Sequence, residues 1–113
     1  MKIIRKKKAE KEIKKIEKEM ADNTAVMKQL RAKAESLSVS IDDPLLNKAL
    51  HELSDEFRFA DPVSSDATKD YDERLDTLLE SIAHHEDSAE REELIRRAIA
   101  LIKERKIIAK ANK

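Results

Sequence analysis

Two sets of side chains are of the types that bind metal ions or transfer protons. One is the run HHED at residues 84–87, and the other is His51 with Asp55, one helical turn apart. Adjacent side chains point in different directions, and neither set has the HExxH spacing or the paired Glu-x-x-His motifs of a di-iron bundle. We therefore interpret both sets as solvated surface residues, keep a metal site as the weaker alternative, and predict no metal and no cofactor.

Other catalytic chemistry is limited by two residue types that the chain lacks. Without glycine there is no Walker or dinucleotide-binding loop, in which the backbone must approach a phosphate, and no nucleophile elbow for a serine. Without cysteine there is no thiolate nucleophile, no thiolate metal site and no disulfide. The sequence therefore predicts a protein that is not an enzyme.

The elements that carry these residues are predicted to be helices. Charged residues make up 42% of the chain, hydrophobic residues 40% and aromatic residues 3%, a mixture typical of amphipathic helices. We predict an all-α fold: an antiparallel helical bundle of about four helices, with a long N-terminal coiled-coil-like helix, in one domain of 113 residues. The predicted helices cover residues 2–38, 44–58, 65–84 and 88–111.

Capping residues and prolines mark the helix boundaries. Asp43 is an N-cap type of residue before Pro44, which suits the first position of a helix. The residue before Pro62 is restricted to an extended conformation, and the serine pair at 64–65 then offers a cap for the third helix. Asp87, with a glutamate three residues later, has the spacing of a capping box at the start of the fourth helix.

The longest apolar runs are only a few residues long. They are too short to span a bilayer, and the N-terminal sequence MKIIRKKKAEK lacks the apolar stretch of a secretory signal. We expect a cytoplasmic protein with no membrane span.

Apolar residues recur at alternating spacings of three and four along the first helix, which is a heptad seam with one polar member. The seam consists of Ile13, Ile16, Met20, Asn23, Met27, Leu30, Ala34 and Leu37. We predict that its first six members, Ile13, Ile16, Met20, Asn23, Met27 and Leu30, bind a partner helix. The row of glutamates at positions 10, 12, 17 and 19 flanks the seam.

Two partners satisfy these glutamates. In a parallel homodimer Glu12 would face Glu17 of the second copy, which is repulsive, whereas an antiparallel homodimer sets the glutamates near Arg31 and Lys33. The antiparallel layers, centred between residues 21 and 22, are Ile13 with Leu30, Ile16 with Met27 and Met20 with Asn23. Alternatively, the glutamates face the basic residues 97–110 of the fourth helix within one chain. Both partners remain open.

Charge is segregated along the chain although the formal net charge is zero. Residues 1–18 hold nine Lys or Arg against three Glu, and residues 42–93 hold 17 acids against five bases. The last twenty residues hold seven bases against one acid. Because the two ends of an up-down bundle lie together, one basic pole is predicted.

The two basic segments have different interpretations. Lys103, Arg105, Lys106 and Lys110 lie at a helix C-terminus, where the helix dipole favours cations, so they are interpreted as structural. At the N-terminus the dipole disfavours cations by about 0.3–1 kcal/mol each. The cluster there is either a solvated tail or an anion-binding site for nucleic acid, an anionic lipid surface or an acidic protein. Its members are Lys2, Arg5, Lys6, Lys7 and Lys8.

The segment from Phe57 to Lys110 contains FADPVSSDAT before one helix and LIKERKIIAK near the end of the next. In these motifs it resembles small, uncharacterised bacterial helical proteins with a DPVSS turn before a helical hairpin. The resemblance covers about half of the chain, implies a helical hairpin with a fixed entrance, and implies no activity. Independently of it, Phe57, Phe59 and Val63 are expected to cover the hairpin as a lid.

Together these patterns predict a non-enzymatic helical protein–protein interaction module that self-assembles or acts as a small adaptor or inhibitor. The alternative is a basic accessory factor that holds nucleic acid backbone or an anionic surface through its N-terminal Lys-rich helix. Any nucleic-acid contact would be non-specific, because a chain with so few aromatic residues has little to stack on bases.

Overall fold

The computed structural model describes residues 23–112, and this part of the chain is built from helices. Residues 23–40 form α1, followed by α2 (Pro44–Arg58), α3 (Lys69–His84) and α4 (Ser88–Ala111). No strand occurs in residues 23–112, so the predicted all-α fold class is confirmed. The predicted coiled-coil-like extension over residues 2–22 lies outside the described residues. None of the described helices is long and apolar enough to cross a membrane.

Two aspartates begin α2 and α4. The Asp43 carboxylate accepts the backbone N–H of Leu45 at 3.0 Å, and the Asp87 carboxylate accepts that of Glu90 at 3.0 Å. Each satisfies a backbone donor that has no partner inside the helix. Asp43 also accepts a hydrogen bond from the Ser88 hydroxyl, which ties the starts of α2 and α4 together. The hydrogen bond from Ser88, followed by that from the Leu45 N–H, lowers the pKa of Asp43 below its ordinary value.

The third helix begins at Lys69, four residues later than the predicted start at residue 65. The expected serine cap does not form, because Ser65 is instead held in a turn by Thr68. The Ser65 N–H donates to Thr68 Oγ1 at 2.9 Å, and the Thr68 hydroxyl reaches back to the Ser65 carbonyl at 3.2 Å. With its side chain committed to this turn and to Asp72, Thr68 occupies the N-cap position without capping the helix.

The helix directions follow from the side-chain and backbone contacts between the helices and their links. Lys33 of α1 contacts α3 at positions 76 and 80, while Asn23 contacts Ser64 before α3, so α1 and α3 run parallel. α3 and α4 are antiparallel, since the Arg91 side chain bonds the carbonyl of Ile82 and Arg105 bonds Asp72. α2 and α4 are parallel, since the Asp43–Ser88 contact at their starts is followed by Lys103–Glu52.

The resulting bundle consists of two antiparallel hairpins, α1–α2 and α3–α4. α4 packs on both α2 and α3, whereas α2 and α3 do not pack on each other. The connection of residues 59–68 therefore passes diagonally across one end of the bundle, which we call the crossover end. The short links 41–43 and 85–87 lie at the other end, the hairpin end. Asn23 and the last turns of α4 share the crossover end.

The core lies along the bundle axis and receives side chains from all four helices. From α1 it takes the last four residues of the predicted seam, in which the three-and-four spacing continues. The buried aliphatic residues are Met27, Leu30, Ala34, Leu37, Ile41, Leu46, Leu50, Leu53, Leu75, Leu79, Ile82, Ile95, Ala98, Ile99 and Ile102.

Of the three residues expected to form a lid, only Phe57 is in the core. Phe57 is 2% exposed, whereas Phe59 is 74% exposed and Val63 is also on the surface. α2 ends at Arg58, so Phe57 lies on the buried face of its last turn, while Phe59 belongs to the crossover connection and points outward.

The two phenylalanines form a matched pair for a stability test. Phe57→Ala should lower the free energy of unfolding by about 3–5 kcal/mol, because it removes a buried ring and leaves a cavity. Phe59→Ala should change it by less than about 0.5 kcal/mol, because the ring is exposed. Chemical denaturation followed by circular dichroism measures both. Equal effects of the two changes would contradict this placement of the core.

Candidate interaction groove

The predicted seam is divided between the inside of the bundle and its surface. Met27 and Leu30 are almost completely buried, and Asn23 is exposed at the crossover end. Because α2–α4 already cover Met27, a second copy cannot face it as the sequence predicted without opening the bundle. The seam residues Ile13, Ile16 and Met20 lie outside the described residues. So do the anion-binding candidates Lys2, Arg5, Lys6, Lys7 and Lys8.

An open groove of about 500 Å³ runs between α1 and the segment of residues 64–76. We call it the α1–α3 groove. Val26 is 40% exposed on its α1 side, and the edge of Leu30 lies beside it. Lys33 lines the same side, and Ser64, Glu73 and Asp76 line the opposite side. The groove thus has an apolar strip along α1 and a mainly acidic wall along α3, which also carries Lys69.

A buried arginine fixes the wall of this groove. Arg105 of α4 is 0% exposed, and its guanidinium donates to Asp72 Oδ1 at 2.5 Å. The same group donates to the carbonyl oxygens of Asp61 at 2.9 Å and of Val63 at 3.2 Å. Asp72 also accepts the Thr68 hydroxyl at 3.2 Å. One side chain therefore ties the crossover connection, α3 and α4 together, with charge-assisted bonds to Asp72 and to two partly buried carbonyls.

Ser64 lies at the end of the groove nearest the crossover end, which we call its lower end. Its backbone N–H donates to the carbonyl oxygen of Asn23 at 2.6 Å, which fixes the distance between α1 and the crossover connection. The Ser64 hydroxyl oxygen is buried and has no hydrogen-bond partner among the described residues. The start of the described chain is therefore attached directly to the groove.

Lys33 is held at the upper end of the groove by two carboxylates. Its ammonium group bonds Asp76 and lies 2.9 Å from Glu80. Hydrogen bonds to Asp76 first and to Glu80 second raise the pKa of Lys33, and the bond from Lys33 lowers the pKa of Glu80. Both shifts favour the charged forms, so α1 and α3 are linked by an ion network at the surface.

All three histidines lie on the surface, and two of them contact neighbouring groups. His85 Nδ1 lies 2.7 Å from the Ser81 carbonyl, His84 lies 3.6 Å from Glu80, and His51 is exposed on α2. Within residues 23–112 no three His, Cys, Asp or Glu side chains are arranged to hold a metal ion.

A second, basic surface lies at the crossover end. Phe59 and Pro62 line an open cavity of about 520 Å³ together with Lys106 and Lys110 of α4. Both lysines are exposed. Asn23 lies at this same end, so the described chain begins close to the basic end of α4.

Sequence reasoning missed the central role of Arg105, which it interpreted as a cation favoured by the helix dipole. A signal was present, because Ala98, Ile102, Arg105 and Ala109 follow a spacing of four, three and four, and all four are buried. Arg105 therefore occupies a core position of α4. Val26 and Ser64 were missed because their exposure and contacts depend on how the crossover connection crosses the bundle.

Comparisons of the whole chain with protein-family models, with curated proteins and with solved structures gave no match. The resemblance to small bacterial helical proteins therefore stays an expectation.

Removing the buried cation tests what holds the groove in place. Arg105→Met should lower the free energy of unfolding by about 3–5 kcal/mol, because Asp72 would remain buried without a cation. The control is Arg97→Met on the same helix, whose 2.6 Å ion pair with Glu93 is exposed and should contribute less than about 1 kcal/mol. Urea unfolding of both variants gives the comparison, and a small loss for Arg105→Met would exclude the clamp.

The Lys33 network should make stability depend on pH in a defined direction. The stability that the network gains through Glu80 is complete above about pH 5 and is lost as the pH falls through the lowered pKa of Glu80. Its contribution through Lys33 is complete below about pH 10 and is lost as the pH rises through the raised pKa of Lys33. Lys33→Gln should therefore lower Tm at pH 7, and the difference from wild type should shrink towards pH 3.

Lys69→Gln is the control for this measurement, because Lys69 also lines the groove and the change removes the same charge. Its Tm difference from wild type should be smaller at pH 7. A Lys33→Gln difference that is the same at pH 3 and pH 7 would show that the network does not stabilise the fold electrostatically.

Proposed function

We propose that this protein is a non-enzymatic helical protein–protein interaction module that uses the seam of its first helix. The burial of Met27, Leu30, Ala34 and Leu37 carries the proposal, because it establishes that the three-and-four spacing in α1 marks a helix-packing face. The same spacing continues through Met20, Ile16 and Ile13 in the sequence. We infer that these three residues pack against another helix, in a second copy or in a partner that this module adapts or inhibits.

The polar groups of the groove support binding rather than catalysis. Arg105 and Asp72 neutralise each other in the core, and Lys33 is held between Asp76 and Glu80. Each of these groups stabilises the contact between helices. The groove they border is open and has an apolar strip, which suits a helix better than a small substrate.

The alternative function is a basic accessory factor that holds nucleic acid backbone or an anionic surface. One observation favours it: the described chain starts, at Asn23, at the same end as the exposed Lys106 and Lys110. This alternative requires the cluster from Lys2 to Lys8 to lie at that end as well, where the two basic segments would form one cationic pole with a shared anionic partner.

Substitutions in the two segments separate these functions. Ile13→Asp with Ile16→Asp should reduce partner binding at least about tenfold, because a charge in a helix seam must be desolvated. Neutralising Lys2, Arg5, Lys6, Lys7 and Lys8 to Gln should leave that binding within about twofold. The measurements are affinity capture from the native cell with quantitative mass spectrometry, and sedimentation velocity of the purified chain for self-association.

Val39→Asp with Leu45→Asp is the matched control, because these residues are 85% and 79% exposed near the hairpin end. Duplex DNA of random sequence tests the alternative. The basic accessory factor is favoured by two results together. The Gln variant alone loses salt-dependent DNA binding, and the Ile13→Asp with Ile16→Asp variant keeps every protein partner. Protein partners retained by both variants would exclude the seam as the binding element.

A further inference from the structure

We propose that the α1–α3 groove is the docking site for residues 10–20 of a second copy of this chain, so that two copies exchange their N-terminal segments in an antiparallel dimer. This inference rests on the proposed function and names its partner. It also moves the contact, from the buried Met27 face that the sequence suggested to the adjacent, open face of α1.

The apolar strip of the groove matches the seam in register. Asn23, Val26, Leu30 and Lys33 follow a spacing of three, four and three along the α1 side of the groove. In the antiparallel register centred between residues 21 and 22, Met20 of the second copy stands level with Asn23, and Ile13 stands level with Leu30. The exposed Val26 lies between these two levels and would be covered.

The charges on the two sides of the groove match as well. On the α1 side, Glu12 of the second copy comes level with Arg31, two residues before Lys33. The opposite wall carries Asp66, Lys69, Glu73 and Asp76, of which Asp76 is already bonded to Lys33, so the wall is acidic on balance and Glu73 is its central carboxylate. In the heptad of the first helix, Lys8 and Lys15 lie on the same flank as Glu12, and antiparallel packing turns this flank of the second copy towards α3. Lys15 then stands at the level of Glu73.

A second copy fits the groove better than the N-terminal segment of the same chain. The three-and-four spacing from Ile13 to Leu37 has no phase break, and the stretch contains neither glycine nor proline, a pattern typical of one continuous helix. A continuous helix cannot return to a groove that its own residues 23–33 line. A two-fold pairing fills both grooves at once, because each copy carries one segment and one groove.

Cysteine cross-linking in the full chain tests the partner directly, because the chain has no cysteine of its own. One copy carries Lys15→Cys and the other carries Gln29→Cys, a groove residue at almost the same level. Mixed and mildly oxidised, they should form the heterodisulfide in clear excess over the Gln29→Cys homodisulfide. Leu45→Cys replaces Gln29→Cys as the control at the hairpin end and should form little of it.

The cross-linking outcomes show whether the segment in the groove comes from a second copy or from the same chain. A chain with both cysteines that closes its disulfide as a monomer, across a dilution series, would overturn the proposal in favour of the same chain. A monomer at high concentration without cross-links would also overturn it. In that case the proposed function still stands if Ile13→Asp with Ile16→Asp releases a different protein, so the two failures can be told apart.

Charge reversal tests the register. Glu73→Lys should raise the dissociation constant of the dimer about tenfold in sedimentation equilibrium, and the compensating Lys15→Glu in the same chain should restore most of it. Glu86→Lys, an equal change in the link at the hairpin end, should have little effect. The docking site would be overturned if Glu73→Lys and Glu86→Lys weakened the dimer equally and Lys15→Glu did not restore it.

Discussion

The guanidinium group of Arg105 lies beneath the crossover connection and bonds Asp72 and the carbonyl oxygens of Asp61 and Val63. The connection runs diagonally because α2 and α3 both pack on α4 and not on each other. The two carbonyls are partly buried, and the guanidinium group supplies a hydrogen-bond donor to each of them. The groove depends on this clamp, since Ser64, one residue after Val63, holds α1 at the groove's lower end.

The α1–α3 groove is bordered by a second face of α1. α1 uses one face, that of Met27, to complete its own core and an adjacent face, that of Val26, to border the groove. Val26 stays 40% exposed on this second face, and it is the apolar area that the proposed docking of residues 10–20 of a second copy would cover. The mainly acidic wall of α3 suits a segment that combines apolar residues with lysines, as residues 10–20 do.

The parts of the fold that follow from local rules were predictable. α2 and α4 have the bounds expected from Asp43 with Pro44 and from Asp87, because capping depends on residues a few positions apart. The third helix began late because the Thr68 hydroxyl bonds Ser65 and Asp72, a choice of partners that the residue types alone do not reveal. Phe57 and Phe59, two residues apart, could not be assigned to core and surface beforehand, because that assignment depends on how the crossover connection runs over the bundle.

The sequence by itself determined the all-α class, the bounds of α2 and α4 and the division into apolar seams and charged flanks, because these depend on capping and periodicity along a single chain. Only the tertiary structure decided that α1 runs beside α3, that Arg105 is a buried clamp and that Met27 is covered while Val26 is open. These features arise from packing between helices distant in sequence, where the diagonal path of one connection selects which faces meet.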